Sequence, residues 1–202
     1  MRSALVARAG LSELAVIEAA ERLIDEVGLP RLTLAELALR LGVRQPSLYK
    51  HIQGTDGLVR SISVRAKQEL AYVLARAAVG RERAGAVAAI ADAYRQWALE
   101  HPGRYATTQT APAAGDEEDR AASEAVLEVV TDVLSGYGLG DDDAIDATRA
   151  LRSALHGFIT LEGGGGFGLP VDIERSFRRL VDGLATAFSA WTEQPAVGGA
   201  AG

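Results

Sequence analysis

Residues 45 to 51, QPSLYKH, place an amide, a hydroxyl, a phenol, an ammonium and an imidazole within seven consecutive positions. No acid accompanies them, and none is a nucleophile beside an orienting base. What they can do is hydrogen-bond: an amide such as Gln45 meets the edge of adenine bidentately, and a lysine meets phosphate as a point charge. Groups of this kind act only if held in register, so the flanking residues must build a frame. Thr33 followed by Glu36 predicts a capping-box helix start, in which each side chain satisfies an amide of the opening turn. Leu34, Leu37, Ala38 and Leu41 recur at the three- and four-residue steps of a helix with one buried face. Gly42 supplies a left-handed stop, with Val43 dropping inward. Pro46 opens a second helix at no hydrogen-bond cost and turns Leu48 and Ile52 to the core. Two short helices across a glycine turn, the second rich in hydrogen-bonding groups, fit a DNA-reading helix-turn-helix.

LGVRQPSLYKHI resembles the end of the helix-turn-helix in the tetracycline-repressor (TetR) family. The likeness is strongest over roughly residues 10 to 75. A second likeness lies at Leu155-His156-Gly157, before a glycine-rich loop and LPVDIERSFRRLVDGL. It is similar to the carboxy-terminal domain of a subgroup with Trp-His-Gly there, with Leu155 in place of the Trp. The resemblance implies base-edge contacts from Gln45 and Pro46, and phosphate contacts from Ser47, Tyr49, His51 and Thr33. Lys50 lies between them, within reach of phosphate or guanine. For Tyr49 a half-buried role bracing the first helix stays open. Arg44, where the family has a Ser-like or acidic residue, cannot cap the recognition helix and suits a phosphate better. Thr55 stands where a lysine commonly opens the next helix; its hydroxyl can cap that helix and touch phosphate. Ala35 offers only a methyl where some relatives carry a base-reading side chain.

Charge is distributed accordingly. The whole chain carries −6, which argues against a general nucleic-acid binder. Residues 31 to 67 nevertheless hold seven Lys or Arg against two acids, a net of +5, while residues 68 to 202 hold 11 against 20, a net of −9. A basic head on an acidic body suits duplex binding by one end.

Other chemistries find little support. The chain has no cysteine, so no disulfide and no thiolate site. His51, His101 and His156 lack metal-ligand spacing, and GGGGFG at 163 to 168 lacks the Lys-Ser/Thr ending of a phosphate loop. The acidic clusters Asp116 to Asp119 and Asp141 to Asp143 lack calcium-loop spacing and are expected to be solvated helix starts. No catalytic residue, metal or cofactor is expected, and the chain is not read as an enzyme. No apolar run approaches the ~18 residues of a membrane span, and MRSALVARAG lacks the apolar core of a signal peptide. Cytoplasmic residence without membrane contact is the expectation.

The predicted fold is all-α, with about nine helices. A first helix from about Ser12 to Val27 carries Leu14, Ile17, Ala20, Ile24 and Val27 on one face. After the motif a long helix runs from about Thr55 to Val79. Further helices follow at about 82–100, around Tyr105, and at about 117–134, 142–162 and 172–191. The last two carry apolar faces at Ile145, Leu151, Leu155, Phe158 and Ile159, and at Ile173, Phe177, Leu180, Leu184 and Phe188. The partition is a DNA-binding domain at 1–56, which includes the start of the fourth helix, a ligand-binding and dimerisation domain at 57–192, and a disordered tail at 193–202. The resemblance implies a homodimer on a palindromic duplex operator, acting as a repressor released by an unidentified small molecule. Tyr94, Trp97, Tyr105 and Phe158 are the aromatic pocket candidates, with Arg95, Gln109 and His156 as polar ones. The alternative is a dimeric ligand-binding or scaffold protein of the same fold without operator recognition.

Overall fold

The computed structural model describes residues 11–191, which contain helices, turns and loops and no strand. The eight α-helices are α1 (Glu13–Val27), α2 (Leu34–Leu41), α3 (Gly54–Ala78), α4 (Arg83–Glu100), α5 (Pro102–Thr107), α6 (Glu117–Ser135), α7 (Asp141–Gly163) and α8 (Ile173–Trp191). Short 3-10 helices at Leu29–Arg31 and Gln45–Lys50 flank α2. The tail expected from residue 193 lies outside the described residues. By contacts the chain forms two compact units, Met1–Glu69 with Glu100–Ala125, and Leu70–Leu99 with Val126–Gly202. The first unit thus takes in α5 and the start of α6 together with the helix-turn-helix.

The first unit is built on α1. Ser12 caps it by accepting the amide of Ala15, and Val16, Ile17, Ala20, Leu23 and Ile24 form its buried face. Leu14 departs from expectation: it is half exposed, because the stripe that meets the core passes through Val16 instead. The core continues through Leu34, Leu37 and Ala38 of α2, then Leu48, Ile52, Leu58 and Ile62. Each Val, Leu or Ile side chain among them contributes about 1.5–3 kcal/mol when withdrawn from water.

α5 lies against α1 and the first 3-10 helix. The approach is close because residue 103 is glycine: a Cβ there would stand 2.1 Å from the carbonyl oxygen of Ile24. Asp25 of α1 accepts both the backbone amide and Nε of Arg104, at 2.9 and 2.8 Å, and so closes the start of α5 from outside it. Arg104 also reaches Glu69 at 2.7 Å.

In the second unit, α7 packs on α8. Ala147, Leu151, Leu155 and Ile159 form the buried stripe of α7, and Phe177, Val181, Ala185 and Phe188 that of α8. Ile145 is half exposed and is not part of that seam. Leu155 is buried, so it fills core where the related motif carries a tryptophan. Arg95, a candidate ligand-orienting group, is engaged within the unit. It holds Glu162 with two bonds at 2.7 and 2.6 Å and Glu174 at 2.5 Å, and its guanidinium lies over Phe177.

Replacing Gly103 with alanine is expected to push α5 off α1, at a cost of about 1–3 kcal/mol or more. Urea unfolding monitored by circular dichroism measures it; a midpoint equal to that of the parent would show that the two helices are not in tight apposition.

Candidate nucleic-acid interface

Every proposed DNA-contacting residue lies in the first unit. Thr33 has the extended backbone of a cap, and its Oγ1 accepts the amide of Glu36 at 3.2 Å. The second half of the expected capping box is replaced: Glu36 accepts Nε of Arg40 at 3.4 Å, one turn along. The hydroxyl oxygen of Thr33 is occupied, yet its own proton remains to be donated outward. α2 ends at Gly42 with φ +67°, and the amides of Gly42 and Val43 bond back to Leu39 and Ala38. A side chain in that left-handed region would be strained, so glycine fixes the turn. Val43 packs on the core as expected.

The recognition segment is a six-residue 3-10 helix, Gln45–Lys50, and not the α-helix that the pattern suggested. Arg44 precedes it without a side-chain capping bond, and Pro46 sits in its first turn. At three residues per turn, side chains three apart align. Pro46 aligns with Tyr49 and Ser47 with Lys50; three of these four are exposed and Ser47 is half-buried. Leu48, wholly buried, pins the segment from below, and Ile52 follows it into the core. Gln45 is exposed at the leading end and His51 closes the trailing one, its amide bonded to Leu48. Tyr49 is 56% exposed, so more than half of it is open to solvent. Thr55 lies inside the first turn of α3, after Gly54 with φ +73°; it does not cap that helix.

The basic charge is more selective than a count suggests. Four of the seven cations between residues 31 and 67 are paired with carboxylates. Arg40 meets Glu26 at 2.5 Å, Arg65 meets Glu21 at 2.8 Å and Lys67 meets Asp119 at 2.6 Å. Arg60 holds Asp116 at 2.5 Å and Glu118 at 2.9 Å. The Asp116–Asp119 cluster is therefore not simply a solvated helix start. Its two aspartates are largely covered, and with Glu118 they hold Arg60 and Lys67, seven residues apart on α3. Hydrogen bonds from Arg60, and then from the amide of Asp119, draw the Asp116 carboxyl down to about 2. Arg31, Arg44 and Lys50 are left with no carboxylate partner among the described residues. Arg31 had not been singled out in the sequence; its place two residues before Thr33 was the available signal.

The pocket candidates are divided between the units. Tyr105 is buried and Gln109 half-buried in the first, where Gln109 Nε2 donates to Thr108 Oγ1 at 2.8 Å. Tyr94 and Trp97 are buried in the second, with His156 and Phe158 half-buried there. Phe158 stacks among Phe167 and Phe177. A groove in the second unit is lined by Ala75, Ala78, Ala86, Val129 and Val133 together with Arg81, Glu82, Arg83 and Asp132; none of the pocket candidates lines it. Among the described residues no cluster of His, Asp or Glu has the makings of a metal site. No described helix is long and apolar enough to cross a membrane.

Comparison with known proteins adds lineage to this geometry. The model of bacterial regulatory proteins of the tetR family matches residues 16–62, and that of the tetracyclin repressor-like C-terminal domain matches residues 87–184. The chain is 39% identical over 155 residues to an uncharacterized HTH-type transcriptional regulator of Mycobacterium tuberculosis, covering 76% of this chain and 71% of that one. It is 34% identical over 156 residues to another, YobS of Bacillus subtilis, covering 76% and 80%. Among solved structures, a TetR variant from Acinetobacter baumannii in complex with minocycline superposes with TM-score 0.68 at 24% identity, covering 90% of this chain and 98% of that one. BioQ of Mycobacterium smegmatis gives 0.69 at 21%, covering 90% and 99%.

Two outcomes follow from the geometry. Tyr49→Phe removes only an exposed hydroxyl, so the melting temperature is expected to hold while affinity for duplex DNA falls several-fold; calorimetry and anisotropy separate the two, and a lowered melting temperature would mark Tyr49 as structural. The Asp116 carboxyl is held below its ordinary 3.8, so its stabilising effect is complete above that pH and is lost as pH falls toward 2. Thermal melts between pH 5 and 2 should therefore fall less steeply for Asp116→Asn than for the parent, and equal slopes would refute the pairing.

Proposed function

Since the chain belongs to the TetR family of bacterial regulatory proteins and is a DNA-binding transcriptional regulator, we propose that it is a dimeric repressor, released from a palindromic operator by a small molecule. The observation that carries the DNA-reading half is the 3-10 helix Gln45–Lys50, which exposes its polar rows while Leu48 anchors it. In this reading Gln45 addresses an adenine edge and Pro46 presses on a thymine methyl. Ser47, Tyr49, His51, Thr33 and Thr55 hold phosphates, which fixes register without reading sequence. Arg44 and Lys50 add the charge.

One such element touches few base pairs, so specificity needs a second copy one helical turn away. Support for a dimer comes from α8, which carries a second apolar row beside its buried stripe. Ile173, Leu180, Leu184, Ala187 and Trp191 of that row are only half-buried. For the effector, a relative in fold binds minocycline, and Tyr94, Trp97, His156 and Phe158 of the second unit are the side chains we assign to ligand contact. A ligand acts by preferring the arrangement that cannot hold DNA, and α3, which contributes residues to both units, is the element to carry that preference.

Incubated with a random duplex library, the purified protein should enrich a palindrome whose half-sites lie about 34–36 Å apart. Retention of no sequence at low salt would favour a scaffold of the same fold over a regulator with an operator of its own.

A further inference from the structure

Arg31 ends the 3-10 helix Leu29–Arg31 and is exposed. The next residue, Leu32, is buried with ψ 119°, and Thr33 is extended at φ −132° and ψ 146°. Arg31 and Thr33 are both exposed, on either side of the buried Leu32, two positions apart in the chain. Thr33, whose Oγ1 accepts the amide of Glu36, still has its hydroxyl proton to donate.

The charge inventory gives this placement its weight. Residues 51 to 59, which lead into and open α3, contain no Lys or Arg and one acid, Asp56. Farther along α3, Arg60, Arg65 and Lys67 are all engaged by carboxylates. Arg40 on α2 is engaged twice, by Glu26 and Glu36. Neutralised pairs release no counterions from a duplex, whereas each unpaired cation that settles on a phosphate releases about 0.9 of one. Arg44 and Lys50 flank the recognition segment, one at each side. Arg31 is the remaining unpaired cation of residues 31–67 among the described residues, and it lies beyond α2 in sequence from that segment.

We infer that Arg31 is a further DNA-positioning residue, which grips a backbone phosphate beside the one held by Thr33 and extends the footprint past the recognition helix. The inference rests on the DNA-binding reading above. An arginine there acts on register and affinity, not on base choice, because phosphates carry no sequence.

The test measures affinity by fluorescence anisotropy, on the duplex enriched by the parent, between 50 and 200 mM salt, for the parent, Arg31→Ala, Arg31→Lys and Arg40→Ala. For Arg31→Ala the slope of log affinity against log salt should shrink by about 0.9 per Arg31 engaged, so about 1.8 for a dimer. Arg31→Lys should restore it, and Arg40→Ala should leave it near the parental value. A parental slope in Arg31→Ala would overturn the inference while leaving the DNA-binding reading intact. So would a changed base preference on repeating the selection with Arg31→Ala, since that would make Arg31 a base reader. A parent that binds no duplex overturns both.

Discussion

Six residues in a 3-10 helix do not hold themselves in place, since such runs have poor hydrogen-bond geometry and are short for that reason. Everything proposed for Gln45 to His51 depends on Leu48, whose side chain is wholly buried in the core made with α1, α2 and the start of α3. That one anchored side chain converts a weak segment into a fixed display of polar groups. Gly42 sets the angle at which the display begins, and Ile52 holds its far end. α5 joins the same unit by packing on α1.

Electrostatics within that unit do two different jobs. The pairs Arg60–Asp116 and Lys67–Asp119 join residues more than fifty positions apart and fasten α3 to the start of α6. Lys67 is almost fully buried, so losing its carboxylate would leave an uncompensated charge, a far larger penalty than breaking a surface pair. Arg31, Arg44 and Lys50 are of the other kind, solvated and unpaired, and available to an outside polyanion. A net charge of +5 over residues 31 to 67 counts both kinds alike.

Much of the helix-turn-helix could be read from the chain because its determinants are local. Thr33 as a cap, Gly42 as a left-handed stop, and the Leu34–Leu37–Ala38 and Leu48–Ile52 stripes all stand as their spacing requires. Periodicity says which face is apolar, but not where a stripe meets its neighbour, and so Leu14 and Ile145 fit their apolar faces by spacing yet are half exposed. The choice between 3-10 and α geometry at Gln45–Lys50 is made by tertiary anchoring, to which a six-residue pattern is blind. Ion pairs across fifty positions leave no mark in local sequence at all; an acidic run such as Asp116–Asp119 looks the same whether it faces water or a guanidinium.

The closeness of α5 to α1 bears on how this protein could be made hardier. Swapping helical glycines for alanine is a routine route to thermostability, because alanine narrows the unfolded ensemble and favours helix. By propensity alone, Gly85, Gly103 and Gly183 are equivalent targets inside α4, α5 and α8. They are not equivalent in space: an added methyl meets nothing within 4 Å at Gly85 or Gly183, and meets the α1 backbone at Gly103. Engineering guided by sequence would treat the three as interchangeable. The fold makes one of them a fixed point, where the absence of a side chain is itself the contact.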